Sequence, residues 1–201
     1  MMTAQQTTQL SKRLSWLLRH GATESGLSMD AAGWVRVDDV LRALAIGPDQ
    51  LRQAVEENTK SRLQWDGDRL RACQGHSTDG TPVTPDALER SWMPYAGPGP
   101  LWHGTAMDVL ERIVREGLKP MARTHVHLAA ATNSSVGKRA NVDVMLEVDV
   151  TRLLALGQRV FESPNGVLLV RAVPPGAITG LVACTHKARA RESQLRALLP
   201  G

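Results

Sequence analysis

Two groups of residues in this chain have the types and spacing for chemistry. The first comprises Trp102-His103-Gly104-Thr105, then His125-Val126-His127-Leu128, with Val136-Gly137-Lys138-Arg139 beyond. Read as a strand-to-helix turn, Gly104-Thr105 offers backbone N–H groups at a helix start, where a pyrophosphate is favoured. The second group lies upstream, in Leu17-Leu18-Arg19-His20 and in Leu70-Arg71-Ala72-Cys73-Gln74-Gly75-His76-Ser77. Guanidinium groups bind phosphate in a bidentate way and stay ionised at working pH. Arg19, Arg71 and Arg139, coming from separate elements, therefore suit a doubly charged phosphate monoester. His20, with an ordinary pKa of about 6.5, adds a proton donor or a further hydrogen bond. The two groups together suggest a dinucleotide and a phosphate brought together.

Each residue also has an ordinary reading. Arg19 complements the dipole at a helix end, and His20 caps it. Arg71 in a hairpin strand points to solvent, and Arg139 is a surface charge. Asn165-Gly166 is a hairpin turn. His125 and His127, two apart on a strand, face one side. A tetrahedral zinc site needs further ligands, for which only His103 and His76 are available, and no carboxylate sits at a matching spacing, so no metal is expected.

Composition narrows the class. The net charge of +4 favours a polyanionic partner only weakly. With aromatic residues at 3%, platforms for stacking bases are few. Cys73 and Cys184 are isolated, which speaks against a disulfide framework and for a reducing, cytoplasmic setting. Residues 1–9 lack the pattern of a signal peptide, and no apolar run approaches the roughly 18 residues that span a bilayer, so no membrane association is expected.

The elements that must position these groups fall in two halves. Leu10, Leu14, Leu17 and Leu18 recur at helical spacing, predicting a helix from about residue 10 to His20 with Ser11 as its cap. Gly33-Trp34-Val35-Arg36-Val37 alternates like a strand, and Asp38 starts a helix carrying Val40, Leu41 and Leu44. A further helix begins at Pro48 and buries Leu51 and Val55. Asp66-Gly67-Asp68 joins residues 62–65 and 69–72 in a hairpin. Three helices and this two-stranded wing describe a winged-helix lobe over residues 1–77. Residues 78–100, rich in Pro, Gly, Thr and Ser, read as a linker with one short helical piece near Leu88.

The second half, residues 101–201, reads as mainly β. Strands are predicted at 101–103, 125–128, 142–148, 158–161 and 167–173, with Asn165-Gly166 as a turn. Val109, Leu110, Ile113 and Val114 line a helix stopped by Gly117. Short helices are expected at 133–138 and in the basic tail, 186–196.

The same residues, in the same order from Ser11 to Pro175, resemble the RNA 2′-phosphotransferase family. The blocks are Leu14-Ser15 with Leu18-Arg19-His20, Gly33-Trp34-Val35, Lys60 with Arg62, Arg71-Ala72 with Gln74-Gly75-His76-Ser77, and His103-Gly104-Thr105. They continue through Gly117-Leu118, Met121 with Arg123, His125-Val126-His127-Leu128, Val136-Gly137 with Arg139, Ser163 with Asn165-Gly166-Val167, and Pro174-Pro175. Two departures are Trp102 where the family often has Tyr and Ala129 where Ser is frequent. The resemblance implies an α+β fold: a winged-helix RNA-binding lobe joined to an ADP-ribosyltransferase-like, β-rich lobe that binds NAD.

What the resemblance implies for the site is equally specific. The family's catalytic Arg-His-Arg-Arg set falls on Arg19, His20, Arg71 and Arg139. His103, Gly104, Thr105, His127, Asn165, Gly166 and Val167 match the NAD-binding blocks. Lys12, Arg13, Lys60 and Arg62 are candidates for holding flanking RNA. The implied reaction has the RNA 2′-phosphate displace nicotinamide from NAD⁺, giving an ADP-ribosylated RNA. Attack by the neighbouring ribose hydroxyl on phosphorus then releases RNA with a free 2′-hydroxyl and ADP-ribose 1″,2″-cyclic phosphate. No metal is needed, and a monomer acting on 2′-phosphorylated RNA is expected.

Two rival readings remain open. ADP-ribose transferred to a terminal phosphate of RNA or DNA and left there keeps the NAD pocket. A non-catalytic winged-helix nucleic-acid-binding module discards the chemistry, but residues 50–58 are more acidic than basic, unlike a helix that reads DNA.

Overall fold

In the computed structural model, residues 2–58, 61–134 and 142–199 are described. The chain divides into two compact units, Met1–Trp92 with Ala122–Thr124, and Met93–Met121 with His125–Gly201. The structure is mixed α and β with small antiparallel sheets.

The first unit opens with helix α1, Ala4–Trp16, which continues into a π-type turn, Leu17–Gly21. The expected cap at Ser11 is corrected. Thr3 caps α1, accepting from the Gln6 N–H while the Gln6 side chain accepts from Thr3 N–H, so the helix starts a full two turns earlier. Ser11 lies inside the helix, and its hydroxyl accepts from Asn58 Nδ2 at 2.8 Å. Strand β1, Val35–Arg36, is shorter than its alternation predicts, because Val37 donates its N–H to Asp68 and begins helix α2, Val37–Leu44. Helix α3, Pro48–Glu56, starts on its proline and buries Leu51, with Ala54 rather than Val55 as the second fully buried residue.

Strands β2, Leu63–Asp66, and β3, Arg69–Ala72, form the predicted hairpin with Asp66 opposite Arg69, and β1 adds on the other side of β3. Helix α1 packs on α3. Helix α4, Pro85–Arg90, is the expected piece around Leu88, capped by Thr84. Residues 78–92 fold with this unit.

The second unit has two sheets. Strand β4, Met93–Pro94, was not evident in the sequence. It is followed by β5, Leu101–Thr105, then a 3₁₀ turn and helix α5, Leu110–Glu116, stopped at Gly117, whose φ is 78°. Strands β6, Val126–Leu128, and β7, Val144–Val148, precede helix α6, Val150–Ala155. Strands β8, Val160–Glu162, β9, Leu168–Val170, and β10, Ile178–Ala183, complete the sheets. The basic tail folds as two short helices, α7, His186–Arg189, and α8, Glu192–Arg196. The orders are β10-β7-β5 and β4-β8-β9-β6, all antiparallel.

Val144, Leu146 and Val148, the alternating residues of β7, enter a core with Leu101, Leu110, Leu128, Val170 and Leu181. The sheets meet where the Trp102 N–H donates to Ala129 O and the Ala129 N–H to Trp102 O, at 2.9 and 2.8 Å. The predicted helix at 133–138 falls mostly outside the described residues.

Candidate active site

Arg19 and His20 sit on the π-type turn that ends α1. Such a turn redirects side chains within one helix and is frequent at functional sites. The Arg19 carbonyl accepts the Ser77 N–H at 2.8 Å, which ties the turn to the segment after β3. Gly75, with φ of 89°, brings that segment close: a Cβ there would lie 3.4 Å from Arg19 Nε. Two sequence-distant blocks meet in the same way at Gly33, whose φ of 85° leaves room for the His76 ring.

The Arg19 guanidinium is poorly compensated among the described residues. Its Nε and Nη2 are buried with no hydrogen-bond partner among the described residues. Burial, first, and the neighbouring Arg62 and Arg123 cations lower its pKa to about 10, and the Cys73 thiol offsets this only in part. Arg19 therefore remains a cation at neutral pH. A buried cation facing two others is costly unless an anion answers it.

His20 lies half-buried beside these cations. Burial first, then Arg123 and Arg19, hold its pKa below the ordinary value, so the imidazole is neutral at pH 7 and can accept a proton. Arg123, quoted only within the resemblance, thus emerges as a member of the cluster. It is carried in by Ala122–Thr124, which pairs with the Ser77 segment: Thr78 N–H donates to Ala122 O and Thr124 N–H to His76 O. A sequence signal for it existed in the Met121, Arg123 block, but nothing local ties residue 123 to residue 19.

Arg71 is not the solvent-facing strand residue its position suggests, since only 2% of its surface is exposed. Its Nε donates to Gln64 Oε1 at 2.8 Å, directly across the hairpin. Its Nη1 donates to Ser91 Oγ at 2.7 Å and Ala32 O at 3.2 Å. The guanidinium lies 4.5 Å from the Trp34 ring centroid, and Arg69 stacks on the same indole at 5.0 Å. Burial lowers the Arg71 pKa, opposed by Cys73 and Asp30. Arg71 and Arg19 both act on the buried Cys73 thiol, whose pKa burial raises to about 11, so the thiol stays neutral between them.

Of the residues expected to hold RNA, Arg62 is drawn into the Arg19 cluster. Lys12 is exposed, and Arg13 is exposed with Nη2 donating weakly to Leu44 O at 3.4 Å. Lys60 and Arg139 lie outside the described residues.

In the second unit, the expectation of a strand-to-helix turn at Gly104-Thr105 is corrected. Both residues belong to β5, opposite Met145 and Val144, so their backbone is in a strand. The first free N–H before the helix, that of Met107, donates to Asp143 Oδ2 at 3.1 Å. Strand pairing continues two residues further than the glycine implied because β7 extends alongside it. His103 and His127 lie on neighbouring strands, and His103 Nδ1 is 2.9 Å from His127 O. A carbonyl only accepts, so Nδ1 carries a proton in this contact. Asn165-Gly166 makes the β8–β9 turn, with Gly166 at φ 76°, and the Ser163 hydroxyl lies 3.0 Å from both Asn165 Oδ1 and Val167 O. Among the described residues, no group of three or more His, Cys, Asp or Glu is placed to hold a metal ion. No described helix is long and apolar enough to cross a membrane.

Comparison with known proteins gives this arrangement its context. The profile of a family described as RNA 2'-phosphotransferase, Tpt1 / KptA family, matches residues 5–172. A Rhizobium johnstonii protein named probable RNA 2'-phosphotransferase is 37% identical over 87% of this chain and 94% of its own length. One of the same name from Pseudomonas savastanoi pv. phaseolicola is 39% identical over 90% and 97%, and one from Burkholderia lata 41% over 85% and 89%. An extended match of this kind means that the chain belongs to the RNA 2'-phosphotransferase, Tpt1 / KptA family.

Proposed function

We propose that this chain removes an internal 2′-phosphate from RNA in an NAD⁺-dependent reaction, with Arg19, His20, Arg71 and Arg123 acting on the phosphate. The observation that carries this reading is the Arg19 guanidinium, whose Nε and Nη2 are buried and unpartnered among the described residues, beside two further arginines. A phosphate monoester supplies the missing acceptors and charge. Arg139 stays in the set on the resemblance alone.

The 2′-phosphate oxygen displaces nicotinamide from the ribosyl carbon, and the adjacent ribose hydroxyl then displaces the RNA from phosphorus. Negative charge builds on the phosphate oxygens in the second step, where preorganised guanidinium donors stabilise it. Arg71 meets this need differently from Arg19, because Gln64, Ser91 and Ala32 fix its fork and leave Nη2 for the substrate. Neutral His20 accepts the proton of the attacking hydroxyl. A dianion bound beside it raises its proton affinity, so the group becomes more basic only when substrate is present.

The residues of the second unit fit NAD. His103, its ring oriented by the Nδ1 contact to the His127 carbonyl, suits the cofactor together with Thr105, His127 and the Asn165-Gly166-Val167 turn. Gly104 admits no side chain, since a Cβ would lie 2.5 Å from Val142 Cγ1. Helices α1–α3 with the β1-β3-β2 sheet support a winged-helix RNA-binding lobe, and the two antiparallel sheets support an ADP-ribosyltransferase-like lobe. We take the protein to act as a cytoplasmic monomer.

Incubation of the protein with a short RNA bearing one internal 2′-phosphate, with and without NAD⁺, tests the reading by mass analysis. Loss of phosphate only with NAD⁺, together with nicotinamide and a cyclic ADP-ribose phosphate, is expected. An ADP-ribose mass retained on a terminal phosphate would instead support the transfer-only activity, and RNA left unaltered would refute catalysis.

A further inference from the structure

At the junction of α1 and the π-type turn stands Trp16, whose surface is 50% exposed. Large side chains on helices usually lean back toward the N-terminus. Trp16 instead lies across Gly21, where a Cβ would fall 2.4 Å from indole Cζ3 and 2.6 Å from Cη2. Only a glycine at 21 allows this, so the ring is held toward the end of the helix that carries Arg19 and His20. Lys12, Trp16 and His20 follow at intervals of four residues, each about 6 Å further along the axis. Lys12 is exposed and His20 half-buried. The stripe thus runs from an exposed cation through a flat aromatic surface to the arginine-rich end, where Arg19 Nε and Nη2 have no hydrogen-bond partner among the described residues.

The geometry points to Trp16 as a stacking platform for the base of a nucleotide flanking the 2′-phosphate, with Lys12 on the adjoining RNA backbone. This rests on the reading of the Arg19 cluster as the phosphate site. The partner is single-stranded, because only an unstacked base presents a free face to an indole. Charge favours the same occupant, since an apolar protein partner would have to desolvate Lys12, one turn along the helix from the ring, whereas RNA answers both cation and aromatic.

The test measures binding without NAD⁺, by anisotropy of a labelled short RNA with one internal 2′-phosphate and of the same RNA made abasic on both sides of it, at fixed salt. Wild-type protein prefers the base-bearing RNA by about ten-fold, within the range of aromatic–base stacking. Trp16→Ala brings the preference to about one, and Trp16→Phe retains most of it. Gly21→Ala lowers it with Trp16 still present, because the new methyl displaces the ring. A preference unchanged in Trp16→Ala, or absent in wild type, overturns the proposal. Phosphate removal with NAD⁺ is scored separately: removal without base preference rejects the platform alone, and base preference without removal rejects the proposed activity alone.

Discussion

Two arginines on neighbouring segments meet burial in opposite ways. On the hairpin, Arg71 has its Nε and Nη1 bonded to Gln64, Ser91 and Ala32 and its face on Trp34. On the π-type turn, Arg19 keeps Nε and Nη2 buried without a hydrogen-bond partner among the described residues and faces Arg62 and Arg123. The contrast separates two jobs that both need a guanidinium. One is held by the protein and offers a fixed corner. The other has two donors without an acceptor among the described residues, and in the proposed reaction the substrate phosphate would supply it.

The comparison breaks most visibly in activity. Arg19→Ala and Arg123→Ala are each expected to slow phosphate removal by about 10²–10³-fold, the range for losing one charge-stabilising donor. Single-turnover assays should show it, and near-wild-type rates for Arg19→Ala would remove the basis of the proposal. Arg139→Ala belongs in the same series: accumulation of ADP-ribosylated RNA is expected if Arg139 serves the second step, and an unchanged second step would exclude it.

Stability should move in opposite directions at the two arginines. Arg71→Met leaves Gln64 and Ser91 without their partner and is expected to cost about 1–3 kcal/mol. Arg19→Met removes a buried, unanswered cation and is expected to raise Tm by about 2–4 °C while abolishing activity. Thermal melts of the two variants check this, and a loss of Tm in both would mean that Arg19 is answered within the fold. Ser91→Ala sharpens the point: it loosens Arg71 without touching charge, and about a ten-fold fall in kcat with KM little changed is expected from a donor made only slightly mobile.

The smallest effect is in pH. His20 has a folded-state pKa below its ordinary value, so the folded protein binds fewer protons than the unfolded chain as pH falls through about 6.5. Its contribution to stability is present above that pH and is lost below it. Melts from pH 7.5 to 5.5 should fall less steeply in His20→Gln, and NMR titration of His20 should show its pKa rise in Arg123→Ala.

Much of the scaffold was legible because its signals are local. Pro48 starts α3, Asp66-Gly67-Asp68 turns the hairpin, and the alternation through Val148 marks β7. Strand β10 was missed, because Gly180 and a bulge between Ile178 and Gly180 break its alternation. The cap at Thr3 was missed for a different reason: the leucine periodicity begins only at Leu10, so the polar first turns carried no apolar stripe. At the site, the ordered motifs singled out Arg19, His20 and Arg71, yet Arg71's burial and Arg123's place beside Arg19 depended on contacts with residues 91, 32 and 77.

By itself the sequence determined the family, the order of the motifs and most helices and hairpins, since periodicity, turn residues and caps act within a few positions. Only the tertiary structure decided which cations face each other, that burial and those cations lower the His20 pKa, and that two Arg19 donors have no partner among the described residues. Charge interactions and desolvation depend on distance and burial in space, and segments fifty or a hundred positions apart along the chain set both.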